Sequence, residues 1–342
     1  MRIAQVAPLF ESVPPRLYGG TERVVSYLTE ELVRAGHDVT LFASGDSRTA
    51  ARLVSVWDTA LRLDDRCPEP TSLHVIMIEE VFRRAAQFDV IHFHVDALQL
   101  PAATRAGVPY LTTKHGRLDM PGLAELYKEF SDAPLVSVSD DQRSPLPQAN
   151  WVATVHHGLP QQLYSPGKGD GYLAFLGRIS PEKGVDRAIE IARRSAMPLK
   201  IVAKVDRVDR EYFATQIRPL IDGREIEFLG ELNDADKGAF LGGATALLFP
   251  IDWPEPFGLV IIEAMACGTP VIAFRRGSVP EILENGVTGF VVDTVEEAVQ
   301  RVADLPQVDR QRCRAEFDHR FTARRMAQDY CAVYAGLAEQ SR

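Results

Sequence analysis

The segment 250–273, PIDWPEPFGLVIIEAMACGTPVIA, carries two carboxylates at a spacing that suits ligand binding. Glu255 lies in a proline-containing loop after a predicted strand, and Glu263 lies in a helix that we expect to begin near 257–258. The first backbone N–H groups of a helix, here those of 258–260, have no partner within the helix and attract anions. Carboxylates beside such a place can accept from hydroxyl groups. The segment therefore suits a sugar nucleotide; the alternative is an ordinary helix with an acidic first turn.

A second candidate site is the loop GRISPEKGVD, residues 177–186, which follows a predicted buried strand. Arg178 and Lys183 flank a proline turn, so both side chains can converge on one side of the loop. Open parallel sheets bind ligands beyond the carboxyl ends of their strands, and two cations there suit two phosphate groups. The alternative is a solvated turn in which Glu182 neutralises Lys183.

Two loops of the amino-terminal half hold further candidate residues. In RLYGGTERVV, residues 16–25, Gly19 and Gly20 allow a ligand to approach the backbone closely, and Thr21 can cap the helix that follows. His115 lies in TTKHGRLD, after another predicted strand. The alternatives are a loop that needs glycine for a positive φ, and a loop histidine with a structural hydrogen bond.

Short apolar runs typical of buried strands alternate along the chain with segments of helical periodicity. The first run is 2–7, a helix is predicted over 21–36, and a terminal helix is predicted over 321–339. This alternation predicts parallel sheets covered by helices on both faces. A polar stretch at 161–171 interrupts the pattern, which begins again with a strand at 172–177. We therefore predict an α/β fold of two Rossmann-like, doubly wound parallel-sheet domains that face each other across a ligand cleft.

The overall charge argues against a nucleic-acid-binding protein, since the 342 residues carry a formal net charge of -9. No apolar run reaches the roughly 18 residues that span a bilayer, so we expect no integral membrane segment and a cytoplasmic location. The four cysteines are far apart and lack histidine partners at metal-binding spacing. Neither a disulfide framework nor a zinc site is predicted.

Two other patterns have the spacing of metal ligands. His92 and His94, in IHFHVD, alternate along a strand, so both side chains lie on one face of the sheet. A metal pair is one interpretation, and packing near the cleft is the favoured one. Asp234 and Asp236 have the D-x-D spacing of metal-dependent transferases, but with Asn233 they fit the cap and first turn of a helix. We assign no metal and no cofactor.

Taken together, the three loop segments resemble the family-4 retaining glycosyltransferases, which have the glycosyltransferase-B fold. The family's Glu-x7-Glu element is matched by E-P-F-G-L-V-I-I-E, from Glu255 to Glu263, which continues into AMACGTPVIA. GGTERVVSYLTEELVRAGHDVTLFAS and LGRISPEKGVD are similar to the family's glycine loop with its first helix and to its phosphate-binding loop. The resemblance extends from residue 2 to the terminal helix. An arginine-rich composition favours, as the subtype, a short enzyme of an antibiotic sugar-assembly pathway.

The resemblance implies that a nucleotide diphosphate sugar, the donor, contacts three groups of residues. These are Gly19, Gly20, Arg178 and Lys183 on the diphosphate, Glu263 on the ribose, and Glu255, Phe257, Gly258 and Leu259 on the transferred sugar. Glu255 and His115, which the family places near the donor sugar, are the implied catalytic residues. Family habit favours a UDP-sugar as donor and a saccharide or small molecule as acceptor.

The resemblance also implies how the chain is organised and how it reacts. An acceptor-side domain is expected at 1–165, a donor domain at 166–320, and a helix that crosses back to the first domain at 321–342. The implied reaction retains the anomeric configuration by same-face attack, in which the leaving phosphate helps to deprotonate the acceptor and no metal takes part. Residues 157–160 read His-Gly-Leu-Pro where many members have Asn-Gly-Val-Asp, so the acceptor is the part least safely inherited.

Three other functions are alternatives to a glycosyltransferase. A nucleotide-sugar 2-epimerase would change the donor without an acceptor, and the Glu-x7-Glu element argues against it. A non-catalytic nucleotide-sugar sensor would bind the donor and neither hydrolyse nor transfer it. A nicotinamide dehydrogenase is disfavoured because no G-x-G-x-x-G follows either opening strand.

Overall fold

The chain divides into two compact units. The computed structural model describes residues 1–16, 19–67, 69–169 and 171–340. Unit 1 comprises Met1–Gly158 and the chain from Ala323 onward, and unit 2 comprises Leu159–Thr322. This division lies a few residues from the limits at 165 and 320 that the sequence suggested.

Unit 1 is built on a seven-stranded parallel sheet. Its strands are β1 (Arg2–Val6), β2 (Asp38–Phe42), β3 (Arg52–Val54), β4 (Val90–Phe93), β5 (Tyr110–Thr113), β6 (Leu135–Ser137) and β7 (Trp151–Thr154). Its first helices are α1 (Gly20–Arg34), α2 (Pro70–Arg83), α3 (Leu100–Ala103) and α4 (Leu123–Glu129). The strand order is β3-β2-β1-β4-β5-β6-β7.

Unit 2 is built on a six-stranded parallel sheet. Its strands are β8 (Leu173–Arg178), β9 (Leu199–Lys204), β10 (Ile226–Gly230), β11 (Ala246–Phe249), β12 (Val271–Phe274) and β13 (Gly289–Val292). Its helices are α5 (Val185–Arg194), α6 (Arg210–Tyr212), α7 (Asp234–Gly243), α8 (Leu259–Ala266), α9 (Val279–Ile282), α10 (Val295–Asp304) and α11 (Arg310–Arg320). The last helix of the chain, α12 (Ala323–Gln340), belongs to unit 1.

Both sheets have the doubly wound arrangement that the sequence predicted. The order of unit 2 is β10-β9-β8-β11-β12-β13, so the sequence of strands reverses between β8 and β11. In unit 1 the same reversal lies between β1 and β4. The carboxyl edge of such a switch point is the place where open α/β sheets bind ligands.

Three inner strands are buried at every residue, because helices cover both faces of a parallel sheet. This holds for β4, β11 and β12, whose sequences VIHF, ALLF and VIAF are almost wholly apolar. His92 is the one polar residue among them, and its side chain is buried as well. A polar side chain at such a place requires hydrogen-bond partners.

The terminal helix α12 packs against α1 and β4 of unit 1. Met326, Tyr330 and Tyr334 recur at helical spacing and are all buried. The terminal helix predicted over 321–339 is therefore confirmed, and these three positions lie on its buried face. No helix in the described part of the chain is both long and apolar enough to cross a membrane.

Candidate functional site

Two loops of unit 2 meet at the carboxyl ends of the neighbouring strands β8 and β11. One loop joins β8 to α5 and carries Lys183; the other joins β11 to α8 and carries Glu255. Gly184 permits their contact, since its φ is 69° and a Cβ there would lie 2.1 Å from the carbonyl oxygen of Pro250. Any side chain at this position would both strain the backbone and push the loops apart.

Lys183 and Glu255 are in direct contact across these two loops. Lys183 Nζ donates to Glu255 Oε2 at 2.7 Å, and it lies 4.5 Å from the centre of the Trp253 ring. The two charged side chains are only 20% and 13% exposed. An ammonium has three N–H donors, so it can hold a phosphate oxygen and remain beside the carboxylate.

Arg178, the last residue of β8, is surrounded by carboxylates of unit 2. Its Nη2 donates to Glu182 Oε1 at 2.5 Å, and its guanidinium nitrogens lie 3.7 Å from Asp206 and 3.8 Å from Asp209. Glu182 therefore pairs with Arg178, and not with Lys183 as the solvated-turn interpretation expected. These contacts fix the direction of the guanidinium, whose five N–H groups can also serve a phosphate.

The helix α8 begins where the sequence placed it, with Gly258 at its N-cap and a φ of 81°. Ile261 N donates to Gly258 O at 2.9 Å, so the N–H groups of Leu259 and Val260 stand at the amino end of the helix, ahead of this first bond. Phe257, just before the cap, is buried and lies edge-on to Phe321 at 6.2 Å. This ring contact anchors the residue that precedes α8, whose amino end attracts anions.

Glu263, in the second turn of α8, is buried and paired within unit 2. Lys237 Nζ, from α7, donates to Glu263 Oε1 at 3.1 Å, and Tyr164 OH donates to the same oxygen at 3.4 Å. Lys237 also lies 3.0 Å from Asp234 Oδ1. Lys237 and Tyr164, which were not predicted from the sequence as site residues, thus give this buried carboxylate an ion pair and a hydrogen bond.

In unit 1, the glycine loop leads directly into α1. Gly19 occupies the N-cap with a φ of 150°, and a Cβ there would lie 2.8 Å from Pro15 Cβ. The helix already includes Gly20, so the prediction that Thr21 caps it is wrong. Glu22, in the first turn, is buried, and burial raises its pKa to about 7.

His115 follows β5 by two residues and contacts other histidines of unit 1. Its Nε2 lies 2.9 Å from His94 Nδ1, and its ring stacks on His157 at 5.2 Å. Burial, with the charge of neighbouring Lys114, lowers the pKa of His115 to about 3. The imidazole is therefore neutral near pH 7 and acts by hydrogen bonding and not by its charge.

The two patterns with metal-ligand spacing have structural roles. His92 and His94 are buried side chains of the β4 region, as the favoured interpretation expected. Asn233 accepts from Asp236 N at 3.0 Å and caps α7, so the interpretation of the D-x-D segment as a helix start is confirmed. Within the described ranges, no group of three or more His, Cys, Asp or Glu side chains is arranged to hold a metal ion.

The predicted site residues thus fall into two groups, one in each unit. Unit 2 gathers Arg178, Lys183, Glu255, Phe257, Gly258 and Leu259 at the ends of β8 and β11, with Glu263 one turn into α8. Unit 1 carries Gly19 and Gly20 at the amino end of α1 and His115 after β5. The missed residues, Tyr164 and Lys237, contact Glu263 from elsewhere in unit 2.

Two protein-family models match the chain, one in each half. "Glycosyltransferase Family 4" matches residues 18–180, and "Glycosyl transferases group 1" matches residues 163–316. Among curated proteins, a glycogen synthase of Mycobacterium tuberculosis is 27% identical, covering 94% of this chain and 93% of its own length.

Solved structures of glycosyltransferases share the fold over nearly the whole chain. AviGT4, a glycosyltransferase involved in avilamycin A biosynthesis, has a TM-score of 0.77 at 23% identity and covers 99% of this chain and 98% of its own. Anabaena Alr3699/HepE, solved in complex with UDP and glucose, has a TM-score of 0.74 at 18% identity. The match covers 98% of this chain and 100% of the HepE chain. The chain belongs to the family-4 glycosyltransferases and has the glycosyltransferase-B fold.

Proposed function

We propose that the chain transfers a sugar from a nucleotide diphosphate sugar to a saccharide or small-molecule acceptor, with retention of configuration and without a metal ion. The observation that carries the proposal is the meeting of Lys183, Glu255 and the amino end of α8 at the switch point of the unit 2 sheet. An ammonium and helix N–H groups suit a diphosphate, whereas a carboxylate suits sugar hydroxyls. All three lie where parallel sheets bind nucleotides.

A UDP-sugar is the proposed donor. Support comes from Anabaena HepE, which has the same fold and was solved with UDP and glucose. Within unit 2, Glu263 uses Oε1 to accept from Lys237 and Tyr164, which leaves Oε2 as the proposed acceptor for the ribose hydroxyls.

In the proposed reaction, the acceptor oxygen bonds to the anomeric carbon on the face from which the nucleotide departs. The bond from that carbon to the β-phosphate oxygen breaks, and the leaving phosphate takes the proton of the acceptor hydroxyl. Arg178, Lys183 and the first N–H groups of α8 stabilise the charge that grows on the phosphate, an effect of about 3–4 kcal/mol per donor. His115, from unit 1, is proposed to contact the donor sugar.

A direct test offers the protein UDP-glucose, UDP-galactose and GDP-mannose, with and without glucose, maltose and other small glycosides. Proton NMR follows nucleotide release and the anomeric configuration of the product, in buffer with and without a chelator. We expect UDP release that requires an acceptor, an α-linked product from an α-linked donor, and no effect of the chelator. Conversion of the donor to its 2-epimer without an acceptor would indicate an epimerase, and tight donor binding without turnover would indicate a sensor.

A further inference from the structure

A continuous series of hydrogen bonds runs through unit 1 from the partly buried His115 to buried side chains of the terminal helix. His115 Nε2 lies 2.9 Å from His94 Nδ1, and His94 Nε2 lies 2.8 Å from Gln5 Oε1. Gln5 Nε2 donates to Tyr334 OH at 3.0 Å. The chain continues through three contacts: Tyr334 OH to His92 Nδ1 at 2.8 Å, His92 Nε2 to Thr113 Oγ1 at 2.7 Å, and Thr113 Oγ1 to Tyr330 OH at 2.9 Å.

The side-chain amide of Gln5 gives these bonds their direction. Its oxygen can only accept, so His94 must carry a proton on Nε2. Burial holds the pKa of His94 well below its usual range, so the ring is neutral and its Nδ1 is bare. His94 Nδ1 can then only accept, and His115 must donate to it from Nε2.

A neutral His115 that carries its proton on Nε2 has a bare Nδ1. That Nδ1 is buried and has no hydrogen-bond partner among the residues that the structure describes. A bare imidazole nitrogen accepts a hydrogen bond from a hydroxyl, and it cannot donate to a phosphate oxygen, an ether oxygen or a carbonyl. A buried acceptor without a partner is also unfavourable, so a ligand hydroxyl at Nδ1 would be stabilised.

We propose that Gln5 and His94 are positioning residues that hold His115 in its Nε2–H form, so that Nδ1 accepts a hydrogen bond from a ligand hydroxyl. The ligand part of this inference rests on the proposed function. The tautomer itself follows from the contacts of unit 1 alone. Gln5 thereby links the state of His115 to Tyr334 of α12, since one amide serves both arms of the chain.

If all these hydrogen bonds ran in the opposite direction, the Gln5 side-chain amide would have to be rotated by half a turn, which exchanges its oxygen and its nitrogen. Gln5 Nε2 would then donate to His94 Nε2, His94 would donate from Nδ1 to His115 Nε2, and the proton of His115 would lie on Nδ1. Nδ1 would then select an oxygen that only accepts, such as a phosphate oxygen. The two directions therefore predict opposite ligand groups and opposite tautomers.

The tautomer is measured on the full-length protein with ¹⁵N-labelled histidine, by long-range proton–nitrogen correlation NMR near pH 7. The His115 signals are identified by their loss in His115→Asn protein. We expect a protonated Nε2 and an unprotonated Nδ1 for both His115 and His94. A protonated Nδ1 on His115 would overturn the proposal, whether or not the protein transfers a sugar.

Two variants of Gln5 test the positioning role. Gln5→Glu keeps an oxygen that accepts from His94, so His115 should keep its tautomer. Gln5→Leu removes that acceptor, and the nitrogen shifts of His115 should move towards the average of the two tautomers. An unchanged His115 spectrum in folded Gln5→Leu protein would contradict the role of Gln5, and His94→Leu gives the same test one bond closer. If the tautomer is as expected but no donor binds, the proposed function fails and the positioning role stands.

Discussion

Lys183 Nζ and Glu255 Oε2 lie 2.7 Å apart at the switch point of the unit 2 sheet. The resemblance assigned the ammonium to the donor diphosphate and the carboxylate to the transferred sugar, so the two implied ligand groups are partners of each other. A bound diphosphate would share the three N–H donors of this ammonium with Glu255, whose negative charge opposes phosphate binding. The remaining lone pairs of the carboxylate would accept hydrogen bonds from sugar hydroxyls. The pair would therefore contact both the diphosphate and the sugar of the donor.

Glu255→Gln should separate nucleotide binding from sugar transfer. The amide removes a negative charge that competes with phosphate for Lys183, so UDP should bind at least as tightly as in the wild type. Transfer should fall by about 100-fold, because the carboxylate that orients the sugar is lost. Calorimetry with UDP and a transfer assay measure the two effects. Lys183→Met is the matched opposite variant and should weaken UDP binding; weaker binding in Glu255→Gln as well would contradict this account.

Arg178→Ala should lower turnover by about two orders of magnitude, because one donor to the leaving phosphate is lost. Circular dichroism and the midpoint of thermal unfolding should show that the variant stays folded, since the Arg178 side chain is 31% exposed. Arg194→Ala is the control, because Arg194 lies on α5 and pairs with the exposed carboxylates of Glu190 and Glu296. Turnover of Arg178→Ala at the level of this control would remove Arg178 from the proposed site.

Lys237→Leu should destabilise the protein. Glu263 would be left buried without its cation, a change that costs about 3–5 kcal/mol. Urea unfolding near neutral pH measures this loss.

Two further variants control the Lys237 experiment. Asp234→Asn removes the other, more exposed carboxylate beside Lys237 and should have a small effect. Glu263→Gln combined with Lys237→Leu should recover most of the lost stability, since no charge is then buried. Equal destabilisation of the single and double variants would show that the loss comes from packing.

Acid should destabilise unit 1 through its buried histidines. Burial lowers the pKa of His115 to about 3 and holds that of His92, His94 and His157 well below the usual range. The stability that these neutral histidines contribute to the folded state is complete above the unfolded-state pKa of 6.5. It is lost as the pH falls below that value, by up to about 1.4 kcal/mol per pH unit for each histidine. Glu22 acts in the opposite sense between about 4.5 and 7, since its pKa is raised.

Fluorescence-detected urea unfolding between pH 7 and 5 tests this prediction. Trp253→Phe protein suits it, because Trp57 and Trp151 then report on unit 1 alone. His92→Gln should reduce the slope of stability against pH, whereas His319→Gln, at an exposed position of α11, should leave the slope unchanged. A flat profile in the wild type would contradict the neutral histidine network.

Sequence periodicity predicted most strands and helices, because parallel strands buried on both faces are almost wholly apolar. The exceptions are weak patterns: β3 is a three-residue strand at the edge of the sheet, and it is only partly buried. The helix α3 is likewise short, with four residues that include a proline. Thr21 carried a capping signal, but the helix begins one residue earlier, with Gly19 as the cap.

The loop residues of the candidate site could be predicted because they follow strands whose carboxyl ends meet at one edge. Their partners could not. In the sequence, Lys237 is one polar residue of a predicted helix, and only the folded structure places it beside Glu263 of α8. Gln5 and Tyr334 lie at opposite ends of the chain, so no local pattern relates them. A cytoplasmic location and a role in an antibiotic pathway stay predictions of the sequence.

Calorimetric titration with UDP, GDP, ADP and dTDP tests most directly whether unit 2 holds a nucleotide diphosphate. The wild type, Arg178→Ala, Glu263→Ala and the control Arg194→Ala are compared in the same buffer. We predict micromolar binding of one nucleotide, UDP, that weakens by about 10-fold or more when a charged contact is removed and is unchanged in the control. Absence of binding by every nucleotide to folded wild-type protein, or equal binding in all four proteins, would contradict the proposed donor site.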